Sequence, residues 1–360
     1  MAIIVAATGF GVVSYPNIVK AAGETWLLLI VVGFAVSAFV AFVCGLLSYR
    51  FPNQTVFDYA RELLGKPISK VLAVVYLGFF FLSTVMMLNH FSNSVVTVLL
   101  PHTPVEVILG TFLIATVFLS SRGVNIISRV AKILIVIAIA VILAMLVFTL
   151  KKFNFEETYG MWKWRPTDVK TAILSSAPVF FGFESVLIIG GFAKKTKKMM
   201  ISVPGAVLIV GGIIFLIQFI MVGVFSTVGI THLTFPTIEL AKTIAFQTAL
   251  AQRFDVIYMF GWIISIFLSI AIMQYCAAFS LAHLIEAKDY SMYCLLLAPL
   301  SLFAALLPEQ QRQVMMVGYY YGALGLVVAF GVPILLGIIA LVRGRFGKES
   351  IMRDVLKEEG

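Results

Sequence analysis

Phe180-Phe181-Gly182-Phe183-Glu184-Ser185 sets one carboxylate among aromatic rings, two residues after a glycine and a short way after Pro178. A carboxylate in so apolar a run has two chemical uses: it can hold an ammonium group, or it can take up and release a proton during a transport or signalling cycle. A charge near the middle of a bilayer costs roughly 2.5 kcal/mol or more, which makes an ionisable residue at that depth a functional candidate by default. The competing reading is a structural pin, in which Glu184 satisfies backbone amides freed by a helix break.

A second unusual stretch, Thr8-Gly9-Phe10-Gly11, precedes Pro16. Glycine inside a helix costs about 1 kcal/mol against alanine, and Pro16 and Pro178 each remove a helical hydrogen bond. Both stretches are therefore expected to interrupt their helices. Free amides around Gly11 to Val13 carry partial positive charge and suit a carboxylate. Unpaired carbonyls around Ser176 to Phe181, together with Glu184, suit an ammonium. A zwitterion, and hence an amino acid, is the ligand that matches both ends. The candidate ligand-binding set is Gly9, Phe10, Gly11, Phe180, Phe181, Gly182, Phe183 and Glu184, with Glu184 also the candidate for proton coupling. Close packing of glycine-rich helices would account for one GxG by itself; two breaks in corresponding places, one beside the buried acid, carry more weight.

The elements that must position these residues follow from composition. Hydrophobic residues make up 61% of the 360 and charged residues 12%. About 20 apolar residues cross a bilayer, and ten such segments are expected, at roughly 1–20, 25–49, 69–99, 104–121, 124–150, 170–193, 201–226, 256–285, 290–307 and 314–342. The breaks fall in the first and sixth. Five is odd, so two five-helix halves, roughly 1–150 and 170–342, would sit in opposite orientations, the inverted-repeat plan of many secondary transporters. The expected fold is an all-α polytopic membrane protein: a single permease-like domain of ten transmembrane helices in a 5+5 inverted repeat, helices 1 and 6 broken, followed by a tail from 343 to 360.

The net charge of +9 sorts by topology rather than pointing to nucleic acid. Of the 26 lysines and arginines, 17 fall on the side that holds Arg50, Arg61, Lys66, Lys70, Arg122, Lys194–Lys198 and the C-terminal tail, and 9 on the other. The positive-inside rule then puts both termini in the cytoplasm. No charged stretch precedes the first apolar segment, so a cleavable signal peptide is not expected. The eight residues before Gly9 make only about 12 Å of helix, which leaves room for a native start further upstream.

Cys44, Cys276 and Cys294 lie in apolar segments without paired spacing and read as small core residues. No metal site or cofactor is expected. Asn89, His90 and Asn93 share a helix face, either lining an external vestibule or forming an interhelical hydrogen-bond patch. Gln218 and Gln274 read as helix-to-helix glue, and Ser265 with Ser269 as a weak sodium-site candidate. Phe153, Tyr159, Trp162 and Trp164 suit an interfacial belt. Phe235–Lys242 reads as a short external amphipathic helix.

With those residues placed, the first segment ending in Ser14-Tyr15-Pro16 and the sixth with Gly182-Phe183-Glu184-Ser185 resemble the amino acid/polyamine/organocation permeases. More narrowly, Arg50-Phe51-Pro52-Asn53-Gln54-Thr55, Leu63-Leu64-Gly65-Lys66, Phe235-Pro236-Thr237-Ile238-Glu239-Leu240 and Arg253-Phe254-Asp255 with Trp262 resemble the B subunit of bacterial spore germinant receptors, over almost the whole chain. The resemblance implies a ten-helix permease fold in the spore inner membrane. It also implies a second membrane-anchored subunit and a lipoprotein subunit as partners, and recognition of a nutrient germinant, often an amino acid, at the broken helices. One departure concerns coupling: some proton-coupled permeases carry a lysine deep in helix five, whereas Lys132 lies only about two turns in.

Three functions compete: a sensor whose ligand shifts a conformational population read by partner subunits, a proton- or ion-coupled amino acid transporter, and a water or ion conduit through Gln218 and Gln274. An enzyme is not expected, because no His-Glu-x-x-His or Gly-x-Ser-x-Gly pattern occurs and no apolar segment holds paired acids.

Overall fold

The computed structural model describes residues 25–162, 169–193, 197–244, 253–308 and 311–343, together with Val19 and Ala22. Gly9, Phe10, Gly11, the first break and the C-terminal tail lie outside the described residues. Within them the chain is helical, with no strand. In order these are α1 (Trp26–Arg50), α2 (Val56–Leu64), α3 (Lys66–Val98), α4 (Val105–Ser121) and α5 (Val124–Thr149). Then come α6 (Val169–Ser176), α7 (Val186–Ile189), α8 (Met199–Thr231), α9 (Pro236–Lys242), α10 (Phe254–Leu284), α11 (Ser291–Leu306), α12 (Gln311–Gly325) and α13 (Val332–Val342).

Six of these stretches are long and apolar enough to cross a membrane, and the pair Lys170–Phe180 and Phe183–Phe192, bent by 51°, passes the same test when taken together as one broken span. Two apolar helices, α4 and α11, are shorter, at 17 and 16 residues. The outer faces of short and long helices alike are apolar: Ile114 and Phe118 on α4, Ile133 and Val147 on α5 and Ile201 on α8 are all well exposed. Only a lipid solvent makes such a surface favourable, because a helix bonds its own backbone internally and needs no water. The protein is a multi-pass membrane protein.

Local chemistry explains the interruptions. Thr55 starts α2: its backbone N–H and its hydroxyl donate to Asp58 Oδ2 at 2.8 and 2.6 Å. Gly65, at φ +93°, turns α2 into α3, a conformation that glycine adopts without a Cβ clash. A six-residue π-helical stretch, Leu326–Gly331, joins α12 to α13 just ahead of Pro333, whose ring crowds the carbonyl four residues earlier.

The layers are pairwise. α1 packs most extensively on α8, α3 on α10 and α4 on α11. The broken span sits between α1 on one side and α3 with α12 on the other, and it meets their glycines. Phe180 lies so close over Gly33 of α1 that a Cβ there would run into its ring, and Phe181 covers Gly325 of α12 in the same way. Gly33→Ala is expected to cost about 1–3 kcal/mol of stability through overpacking. Phe180→Leu in the same chain should recover most of it. Thermal melts of the four variants in detergent check this coupling, and simply additive losses would mean that the two residues are not in contact.

Candidate functional site

The broken span begins as α6, tightens to 3-10 geometry over Ala177–Phe180, and stops. Phe181 is extended (φ −82°, ψ 162°), and Gly182 then reverses the chain at φ +121°, a region that side chains rarely tolerate. Phe183–Ser185 restart as another 3-10 turn that runs into α7.

Glu184 is fully buried and closes this break. Its Oε2 accepts the Gly182 N–H at 2.7 Å, while the Ser185 hydroxyl donates to Gly182 O at 2.6 Å. The two polar groups of the reversed residue are thus both met by side chains two and three positions on. Glu184 Oε1 is different: it is buried and has no hydrogen-bond partner among the described residues. The described contacts therefore divide the carboxylate, with one oxygen spent on the backbone and the other without such a bond. A buried acceptor left unmet costs about 1–3 kcal/mol, and more when charged.

The three phenylalanines are 0–6% exposed and separate onto different neighbours. Phe180 meets Phe34 of α1 edge-on, ring centroids 5.1 Å apart. Phe181 meets Phe79 of α3 and Tyr321 of α12, each at 5.6 Å. Phe183 lies 5.7 Å from Phe330 in the π-helical stretch. Tyr321 is fixed in turn by Ser83, hydroxyl to hydroxyl at 2.8 Å, and the Tyr76 hydroxyl approaches Val328 O at 3.5 Å. Cys44 and Cys276 lie within electrostatic reach of Glu184, and all three cysteines are buried and free.

Of the sequence candidates, the structure brings together Phe180, Phe181, Gly182, Phe183 and Glu184. Reasoning from sequence missed Tyr76, Phe79, Ser83, Tyr321 and Phe330, which surround them. The one sequence signal that could have found Phe330 is Pro333, a cue for irregular helix geometry just ahead of it.

Other polar residues resolve into structural contacts. Asn89 Nδ2 donates to Ala305 O at 2.9 Å and Asn93 Nδ2 to Asn89 Oδ1 at 3.1 Å, the interhelical patch. His90 packs between Phe235 and Trp262. Gln274 Nε2 donates to Cys294 O at 3.1 Å, joining α10 to α11 as glue. Ser265 and Ser269 bond to carbonyls one turn back on their own helix. Gln218 is the exception, fully buried with neither amide atom partnered among the described residues. Lys132 is exposed on α5, away from the core.

Comparison with known proteins gives a family and a fold. The family model described as Spore germination protein, a spore permease family, matches residues 1–314. Spore germination protein YndE of Bacillus subtilis (strain 168) is 22% identical over 93% of this chain and 93% of its own length. Spore germination protein A2 of the same organism is 24% identical over 94% and 92%. Spore germination protein GerLB of Bacillus cereus is 23% identical over 94% and 92%. Among solved structures, the crystal structure of MhsT in complex with L-phenylalanine superposes with a TM-score of 0.67 over 94% of this chain and 97% of that one, at 14% identity. The chain has that fold.

The two oxygens of Glu184 predict different variants. Glu184→Gln keeps an oxygen for the Gly182 amide and is expected to melt close to the parent. Glu184→Ala strands that amide and should lose about 1–3 kcal/mol. Thermal unfolding in detergent checks the pair; equal losses would mean that the bond to Gly182 does not matter.

Proposed function

This chain belongs to the spore germination protein family, and from that premise we propose that it is the permease-like membrane subunit of a spore germinant receptor. In this reading it binds a small nutrient of the amino acid class between broken helices 1 and 6. The observation that carries the proposal is the divided carboxylate: a buried acid with one oxygen committed to its own backbone and one without a partner among the described residues is a ready acceptor for an ammonium group. The break at Gly9, Phe10 and Gly11 would free the amides around Gly11 to Val13 for the carboxylate end, and Phe180, Phe181 and Phe183 would supply the apolar walls. The fold shared with MhsT, solved with L-phenylalanine, supports an amino acid in particular.

The full architecture belongs to the same proposal: ten helices, as inverted repeats of roughly 1–150 and 170–342. Counted in that frame, α1 and α8, α3 and α10, and α4 and α11 are each five spans apart, and each pair packs together. The short helices α2 and α9 follow the second and seventh spans, each with a Phe-Pro pair at its entry: Phe51-Pro52 lies just before α2, and α9 begins on the proline of Phe235-Pro236. Such repetition supports a duplicated plan. Both termini would lie in the cytoplasm, with the chain in the spore inner membrane, working beside a second membrane-anchored subunit and a lipoprotein subunit that read its conformation.

The second reading is an amino acid transporter in which Glu184 or an ion couples the same rearrangement to uptake. The fold favours it, and nothing in the site requires partner subunits. A conduit is the weakest reading, because Gln274 is committed to Cys294 O.

Counterflow of labelled amino acids into proteoliposomes holding this chain alone, paired with ligand-dependent thermal stabilisation, separates the first two. The receptor reading expects saturable stabilisation by at least one amino acid and no counterflow. Saturable counterflow would make the chain a transporter. Glu184→Gln and Gly11→Leu should each weaken stabilisation tenfold or more, on the order of 1.4 kcal/mol; normal binding by both would move the site elsewhere.

A further inference from the structure

Where α2, α3 and α10 end or begin together, Arg61, Lys66, Ser69, Lys70, His283 and Glu286 line a cavity of about 260 Å³. Lys66 Nζ and Lys70 Nζ converge on one oxygen, Glu286 Oε1, at 2.8 and 3.1 Å. The two ammonium groups hold the Glu286 carboxyl down to about 2. One carboxylate answers only one of the two positive charges, and exposed pairs of this kind contribute little to stability.

Arg61 makes no ion pair among the described residues. Asp58, the acid one turn before it, is taken by the amide and hydroxyl of Thr55. Ser69, whose hydroxyl donates to Phe57 O at 2.7 Å, and His283 Nε2, 3.5 Å from that hydroxyl, form the floor. The lining thus holds three fixed cations against one anion. The N-terminus of the 33-residue α3 adds the positive end of its dipole.

An apolar row leads away from the cavity. Ile68, Val71 and Val74 are 44%, 61% and 51% exposed and follow one another at three-residue spacing along α3, and Ile285 beside Glu286 is 52% exposed. A basic pocket at the end of a membrane helix, opening onto an exposed apolar stripe, matches a molecule with a phosphate head and a hydrocarbon tail. The same end of α3 lies on the side richer in lysine and arginine, which faces the leaflet where anionic lipids attract basic residues.

We propose that this cavity binds the phosphate of an anionic phospholipid headgroup, with Arg61 as its uncommitted donor, Lys66 and Lys70 as shared ones, and the acyl chains along Ile68, Val71 and Val74. The lipid bridges α2, α3 and α10 and competes with Glu286 for the two lysines. This site is separate from the broken span, and its fate does not depend on whether the chain senses or transports.

The test is thermal unfolding of the full-length chain in detergent, titrated in parallel with phosphatidylglycerol, phosphatidylcholine and inorganic phosphate. Stabilisation is expected from phosphatidylglycerol and not from phosphatidylcholine. Arg61→Gln should raise the half-saturating lipid concentration about fivefold, the weight of one basic residue near an anionic surface. Glu286→Gln, which frees both lysines, should lower it. Lys288→Gln, an exposed change of equal charge outside the cavity, should leave it unchanged. An equal response of all three variants would overturn the site. Stabilisation by inorganic phosphate with no effect of lipid would overturn the phospholipid assignment in favour of a soluble phosphate.

Discussion

In a bilayer, every backbone N–H and C=O must find its partner within the protein, since no water is present to take it. The broken span from Val169 to Phe192 meets that constraint at a point where its own helical ladder cannot. Phe181 and Gly182 leave helical geometry, and Glu184 and Ser185 return two side-chain bonds to Gly182. The rest of the site depends on that exchange. A reversal at φ +121° persists only when its amide and carbonyl are met, and meeting them takes one of the two oxygens that Glu184 brings to the break.

The neighbouring helices are shaped around this reversal. Gly33 and Gly325 give up their side chains to the rings of Phe180 and Phe181, and at Gly322 the backbone of α12 comes against the carbonyl of Leu174. Because Phe180 reports to α1 while Phe181 and Phe183 report to α3, α12 and the π-helical stretch, a change at Glu184 is felt in two layers at once. Packed interfaces of this kind switch between discrete arrangements rather than deform smoothly. For the proposed ligand, such packing would be a mechanical route outward, in the receptor reading and in the transporter reading alike.

Much of this was legible in the residues. Apolar segment lengths located α1, α3, α4, α5, α8, α10 and α11 to within a few residues, because burying a helix in lipid leaves little freedom in where it ends. The break at Gly182 was legible from Pro178 and glycine, whose backbone chemistry is local. The division of the carboxylate was not, since which oxygen meets the Gly182 amide is a matter of rotamer and turn geometry. Nor was the ring of Tyr76, Phe79, Ser83, Tyr321 and Phe330. Their helical periodicity says that they are buried, but not that a π-helical stretch ahead of Pro333 turns Phe330 onto Phe183. For Asn89, two readings survived the sequence, and a single bond to Ala305 O decides for the interhelical patch.

The distribution of unmet polar groups separates two kinds of helix. In the α3, α10 and α11 layer, buried amides are paired across helices, Asn89 to Ala305 O and Gln274 to Cys294 O; the hydroxyl of Ser301 is the exception. Such bonds resist relative sliding, because breaking one in an apolar interior leaves both partners stranded. Among the described residues the break and its neighbours α1, α2 and α8 are otherwise: Glu184 holds one oxygen without a partner, Gln218 two atoms, and the Trp26 indole and Tyr59 hydroxyl one each. Groups that the described helices leave incomplete are the ones that a partner supplied from elsewhere in the chain, by a ligand or by a proton, stabilises most. If the proposed ligand is that partner in one conformation and not in the other, its binding selects that conformation.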